Sequence, residues 1–239
     1  MENYALIGDL HSQVAPLLKA LYYCLLNDLT PVFLGDVFDS RCEHSDSVGV
    51  YRALKNAQIL FKNMQILRSN HQDKLERYLK GNKVFVSPEL QRSLDDFALG
   101  GVSSSELLGW LESMPYGFCF RDENNVEHRC AHAYFPSWVE VPSYEQFVAI
   151  YDMARKARQL AMYGPSHREN RKRVFWWEGE SNRDWVRVAG HYHVVHTCER
   201  NLVLDAGCGG VKRSWFCNEP PALVLWNTRD RQLVEIDAW

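Results

Sequence analysis

The sequence predicts an α/β fold, a mostly parallel sheet covered by helices, followed by a strand-rich second half. Three observations predict it. Short apolar runs recur along the chain, strand-like in length, and each stops at a small or polar residue. Segments with helical apolar spacing separate the first of these runs, giving a βαβαβ alternation over the first 70 residues. Toward the C-terminus the runs are joined by turns instead of helices.

Taken in order, "YALIGDLH" is a strand that stops at Asp9 and His11, and Val14, Leu17, Leu18, Leu21 and Leu25 then form one helical stripe. "PVFLGDVFD" stops at Asp36 and Asp39, with a helix from Val48 to Leu60 behind it. "MQILRSNH" stops at Asn70 and His71, and Gln72 to Leu79 reads as a third helix ended by Gly81. Pro88 to Ser113 reads as short helices, one opening on a Ser103–Glu106 capping box, and forms a small helical insertion over 88–113. "YGFCFRDENNVEHRCAHA" is a hairpin turning at Asn124–Asn125, whose second strand delivers His132. Glu145 to Tyr163 carries an amphipathic pattern, read as a helix stopped by Gly164–Pro165. "VRVAGHYH" delivers His191 and His193, and alternation along a strand aims both rings the same way. "NLVLDAG", "ALVLWN" and "QLVEIDAW" are three closing strands, which suggests a second sheet stacked on the first. With no repeat or linker, residues 1–239 read as a single domain.

Composition narrows the function. The chain is 46% apolar and 24% charged, ordinary for a globular fold. A net charge of −3 argues against a surface that coats nucleic acid. No apolar run is long enough to cross a bilayer, and "MENYALIGD" has no leader character, so a cytoplasmic location is expected. Seven cysteines without a C-x-x-C pair fit reduced thiols.

The polar stops carry the chemistry. A carboxylate at the end of a core strand is costly unless it is paired, hydrogen-bonded or bound to a metal. Singly, each stop has an ordinary explanation: Gly-Asp makes turns, Asn70 caps helices, and His132 can be a satisfied core histidine. Together, two aspartates, an asparagine and three or four histidines at strand ends of one sheet make a nitrogen and oxygen donor set without thiolate. That set suits manganese, iron, zinc or similar ions.

"GDLH", "GDVFD", "SNH", "AHA" and "GHYH", in this order, resemble the signature of the calcineurin-like metallophosphoesterases, spanning residues 9 to 193. The "CAHAYFP" and "LDAG" contexts are most similar to compact phosphoprotein phosphatases of the bacteriophage lambda type. The resemblance implies an αββα sandwich of two mixed sheets flanked by helices. It implies two divalent metal ions, manganese first, with iron, zinc or nickel as substitutes. Asp9 and His11 would hold one ion, Asp36 would bridge, and Asn70, His132 and His191 would hold the other. In related nucleases and phosphodiesterases the second histidine of GHxH also reaches a metal, which makes His193 a further candidate. His71 would be the general acid, oriented by Asp39. Arg41 and Asn70 would contact the phosphate, although Arg41 follows Asp39 one position later than in the family. The second phosphate-binding arginine has no clear counterpart, and Arg173 and Arg183 are the candidates.

The expected activity is metal-dependent phosphomonoester hydrolysis of the serine/threonine protein phosphatase kind, by attack of a hydroxide bridging two metals, on a phosphoprotein or small phosphoester. The alternative substrates on the same fold are nucleotides or nucleic-acid ends, with end phosphatase, phosphodiesterase or dinucleoside polyphosphate hydrolase activity. His193 and the basic-aromatic segment from 167 to 185, with its "HRENRKR" run and Phe175, Trp176, Trp177 and Trp185, favour that alternative. A third reading is an inactive binding scaffold.

Overall fold

The structure is a computed structural model of the chain, describing residues 2–40, 42, 45–144, 146–165, 168–169, 172–173, 176–178, 184–198, 200–208 and 222–237, with backbone alone at 168–169, 172–173 and 178. The first half runs β1 (Tyr4–Ile7), α1 (Val14–Leu26), β2 (Thr30–Phe33), α2 (Ser47–Leu60), β3 (Gln65–Ile66), α3 (Asn70–Leu79), α4 (Pro88–Leu99) and α5 (Ser104–Glu112). The second runs β4 (Gly117–Arg121), β5 (Glu127–Cys130), β6 (Phe147–Ile150), α6 (Arg155–Tyr163), β7 (Arg168–Glu169), β8 (Lys172–Arg173), β9 (Trp185–Ala189), β10 (Val195–Thr197), β11 (Asn201–Leu204), β12 (Ala222–Asn227) and β13 (Gln232–Asp237).

Two mixed sheets stack face to face. The first has the order β13-β12-β1-β2-β3, parallel through β1, β2 and β3 and antiparallel where β12 joins β1. The second has the order β10-β11-β9-β5-β4-β6. Strand alternation sorts the core into three layers. Ala5, Ile7 and Phe33 pack outward under helices with Leu17, Leu54, Phe97 and Trp110, whereas Tyr4, Leu6 and Val32 face inward against Phe118, Phe120 and Val188. Cys119, Ala131 and Phe135 pack on the far side of the second sheet with Ala157 and Ala161 of α6. Helix, sheet, sheet and helix are thus the four layers of the expected αββα sandwich.

Several local expectations are corrected. The pattern from Glu145 to Tyr163 is not one helix: Phe147–Ile150 pairs antiparallel with β4, and only Arg155–Tyr163 is helical. The free edge of β4 offered a ladder that helical periodicity could not compete with. Of the closing strands, only β11 lies in the second sheet, while β12 and β13 complete the first. On α1 the buried face is Leu17, Ala20 and Cys24, leaving Leu18 and Leu25 exposed, because small residues let the helix sit close to the sheet. Ser69, not Asn70, caps α3, its side chain accepting from the Gln72 amide. Helices α4 and α5 pack into the core through Leu90, Phe97, Leu107 and Trp110.

Among the described residues no helix is long and apolar enough to cross a membrane. Six cysteines there are free thiols, and only Cys198 is exposed. Trp176 and Trp185 pack around Arg187, whose guanidinium lies 4.0 Å from the Tyr134 ring centre and 5.1 Å from each of the two indoles. That part of the tryptophan cluster is packing. Phe175 and the whole 167–173 basic run lie outside the described side chains.

Candidate metal centre and its acid–base pair

Each expected junction follows a strand. Asp9 and His11 follow β1, Asp36 and Asp39 follow β2, and Asn70 and His71 follow β3; His132 follows β5, and His191 and His193 follow β9. The first three junctions belong to one sheet and the last two to the other, which corrects the expectation of a single sheet. The donors meet because both sheets present carboxyl ends at the same rim.

The junctions bend sharply to turn these side chains inward. Among the described non-glycine residues, His11, Ser12, Asp36, Asp39, His191 and His193 all hold positive φ, between 42° and 73°. Strained backbone of this kind collects at functional sites. The left-handed turns at His191 and His193 also mean that strand alternation does not govern "GHYH". Gly35, with φ 118°, is required for space as well, since a Cβ there would lie 2.7 Å from His132 Nδ1.

Two groups of donors form. Asp9, His11 and Asp36 make one, and Asp36, His132 and His191 the other, the atoms of each lying within 4.8 Å of one another. Asp36 belongs to both. Asn70 joins the second group, its Oδ1 lying 2.9 Å from His132 Nε2. Two imidazoles are locked by backbone carbonyls: His132 Nδ1 lies 3.0 Å from the Leu34 oxygen, and His11 Nδ1 lies 3.0 Å from the Asp39 oxygen. Donation from Nδ1 leaves each Nε2 lone pair aimed at Asp36, at 3.5 Å for His132 and 3.9 Å for His11.

The residues fit divalent cations. Asp36 Oδ1 is buried without a hydrogen-bond partner, a cost that a cation removes. His132 Nε2 faces His191 Nδ1 at 3.1 Å and Asn70 Oδ1 at 2.9 Å, a convergence of lone pairs that asks for a positive ion. Burial pushes His132 and His11 below the usual histidine range and His191 down to about 3, so all three rings are in the neutral form that binds metal. Burial, with the Asp205 and Asp36 carboxylates nearby, pushes Asp9 well up. Asp36 moves down: burial opposes this, but His132, His71, His11 and His191 together outweigh it.

Beside these groups sits a separate pair. His71 Nδ1 lies 2.9 Å from Asp39 Oδ2, and His71 Nε2 lies 3.9 Å from Asp36 Oδ2. Asp39 is itself held, its Oδ1 accepting from Ser93 Oγ at 2.9 Å, and Ser93 comes from α4. Burial acts most strongly on His71 and would discharge it, but Asp36 and the hydrogen-bonded Asp39 prevail and raise it to about 9. Were a cation to neutralise Asp36, Asp39 would be the carboxylate left bonded to the ring. Ser93→Ala is expected to leave a buried carboxylate oxygen short of a donor and cost about 1–3 kcal/mol of stability in urea unfolding.

His193 is in neither donor group. Its side chain is 37% exposed, its ring Nδ1 lies 3.8 Å from Asp205 Oδ2, and its amide donates to Asp205 Oδ2 at 2.6 Å. Arg41 and Arg183 lie outside the described residues, as does the side chain of Arg173. One site residue was missed. Asp205, fully buried just after β11, accepts from the His193 and Gly207 amides, and its charge acts on Asp9, His11, His132 and His191. The signal was present in "NLVLDAG", a sixth apolar run stopping at a carboxylate.

Comparison with solved structures now has a geometry to match. A candidate diadenosine tetraphosphatase aligns over 100% of this chain and 94% of its own, at 17% identity and a TM-score of 0.62. A protein serine/threonine phosphatase from Saccharomyces cerevisiae with similarity to human phosphatase PP5 aligns over 100% of this chain and 80% of its own, at 13% identity and a TM-score of 0.53. The chain has the calcineurin-like phosphatase fold. No family model matches the sequence, and no curated protein matches it. The fold therefore stands on structure, and the chemistry on the side chains described above.

Proposed function

We propose that this chain is a metal-dependent phosphomonoesterase of the phosphoprotein phosphatase kind. The observation that carries the proposal is the meeting of two donor groups at Asp36 with the Asp39–His71 pair alongside. Asp9, His11 and Asp36 would hold one divalent cation, and Asp36, Asn70, His132 and His191 a second, with manganese the first choice for an all-nitrogen-and-oxygen set. Bound there, the cations supply a water acidified toward neutral pH and draw charge off the phosphoryl oxygens.

The side chains do the rest. Asn70, beside the second donor group, would help to position the ester. Water oxygen bonds to phosphorus as the bond from phosphorus to the leaving oxygen breaks. The leaving oxygen takes its proton from His71 Nε2, because Nδ1 is committed to Asp39. Solvent reprotonates the ring, and one water is consumed for each alcohol and inorganic phosphate released. In Mn²⁺, p-nitrophenyl phosphate is expected to be hydrolysed at least about tenfold faster than bis-p-nitrophenyl phosphate, each tenfold corresponding to about 1.4 kcal/mol of barrier. A preference for the diester would overturn the monoesterase reading.

A further inference from the structure

Helix α1 is apolar on more sides than the fold covers. Its 13 residues hold one charge, Lys19, whose Nζ is turned to the Asp237 carbonyl oxygen at 3.5 Å. By contrast α3, with 10 residues, carries Asp73, Lys74, Glu76 and Arg77. A helix that is apolar all round is normally buried all round. Here the fold buries only Pro16, Leu17, Ala20 and Cys24. Leu18, Tyr22, Leu25 and Leu26 are each more than half exposed on the outer side. Helix α2 packs beside α1, and its last turn adds Ile59 and Leu60, which are more exposed still. Half of the large apolar side chains exposed among the described residues lie on these two helices, which makes a patch and not scatter.

The spacing of the outer face says what covers it. Ala15, Leu18, Tyr22 and Leu25, all exposed, follow one another at three, four and three residues, the a and d positions of a heptad. Such a seam takes a second helix, and two copies of this one fit best in opposite directions. About a two-fold axis Leu18 of one copy then meets Tyr22 of the other, and Ala15 meets Leu25, so bulk is even along the seam. Run parallel, the helices would set Tyr22 on Tyr22 and leave a gap where Ala15 faces Ala15. We propose that this face pairs two copies of the chain through antiparallel α1 helices. The six exposed side chains present on the order of 400 Å² of apolar surface. At the apolar share of a homodimer interface that is about 600 Å² per copy, the lower end of a standard interface. Association in the micromolar range is therefore expected. A helix lying on an anionic membrane would carry several lysines or arginines on its polar face, and α1 has one. Since α1 starts three residues past His11, antiparallel pairing sets the two candidate rims at opposite ends of the seam, about 20 Å apart along it. Turnover does not depend on it.

Sedimentation of the full chain between about 1 and 100 µM is the test, with the mass expected to rise from 27.8 kDa toward twice that value. Leu18→Glu and Tyr22→Lys, both at exposed positions, should each weaken association at least about tenfold, because each places two unpaired charges in the seam. Thermal unfolding should stay near wild type in both, as should kcat/KM on p-nitrophenyl phosphate in Mn²⁺. Mixed together, the two variants should associate at least about tenfold more tightly than either alone, since the antiparallel register brings the new carboxylate against the new ammonium. A parallel pair offers no such contact. A wild-type chain still monomeric at about 100 µM would overturn the inference. So would a dimer indifferent to both variants, or one that both break and mixing fails to restore. The phosphatase reading fails separately: a dimer that follows these expectations without any turnover would sink that reading and keep the pairing.

Discussion

Asp36→Asn is expected to lose both metal ions and nearly all turnover. Asp36 is the one side chain common to both donor groups, and one of its oxygens is buried with no other partner. Asparagine keeps the size but removes the charge that offsets the cations. It is also a fair test of the site apart from the fold. Asp36 sits at φ 42°, in the left-handed region that asparagine tolerates better than most residues. The folded structure should survive, and removal of a buried carboxylate beside Asp9 relieves a repulsion. Bound cations would supply several kcal/mol of transition-state stabilisation, so kcat/KM should fall by at least about a thousandfold. Elemental analysis of the purified variant should show both ions depleted. Full metal content with full activity would show that the donor groups are not a metal centre.

His71→Asn should separate acid catalysis from metal binding. His71 is in neither donor group, so metal content should stay at the wild-type level. What disappears is the Nε2 proton that the leaving oxygen would take, a contribution of about 10²–10⁴-fold where the leaving group is a poor one. The loss should appear with alkyl phosphates and be small with p-nitrophenyl phosphate, whose leaving group departs without help. The pH profile adds a check with a definite sign. A general acid works while protonated, so the wild-type rate on alkyl phosphates should fall as pH rises through the pKa of His71. The variant should lack that decline. Metal lost as completely as in Asp36→Asn would make His71 a ligand and end its assignment as the acid.

Much of the site was legible because its signal is local. A strand that stops at a carboxylate or imidazole announces itself over six or seven residues, and Asp9, Asp36, Asn70, His132 and His191 were all found this way. Asp205 gives the same signal, but "NLVLDAG" was read as a strand and its "LDAG" as context for the resemblance, not as a site residue. Partnership was harder to read. Phe147–Ile150 has apolar spacing that suits a helix as well as a strand, and only the open edge of β4 decides between them. The burial of Ser93 against Asp39 joins positions 54 residues apart, and no spacing rule reaches that far. The assignment of β12 and β13 to the first sheet is likewise a tertiary choice, made where β1 lacked a neighbour.

That choice governs when the candidate rim can come into being. Tyr4 and Thr228, bonded to each other beside β1, are 224 positions apart. Asp9, two residues past the end of β1, accepts from the amide of His191, 182 positions away. An early fragment emerging during synthesis therefore carries carboxylates but no imidazoles from the second sheet, and it has nothing to close the loop around a cation. The two donor groups come together only with closure of the whole sandwich, so a half-folded chain lacks them.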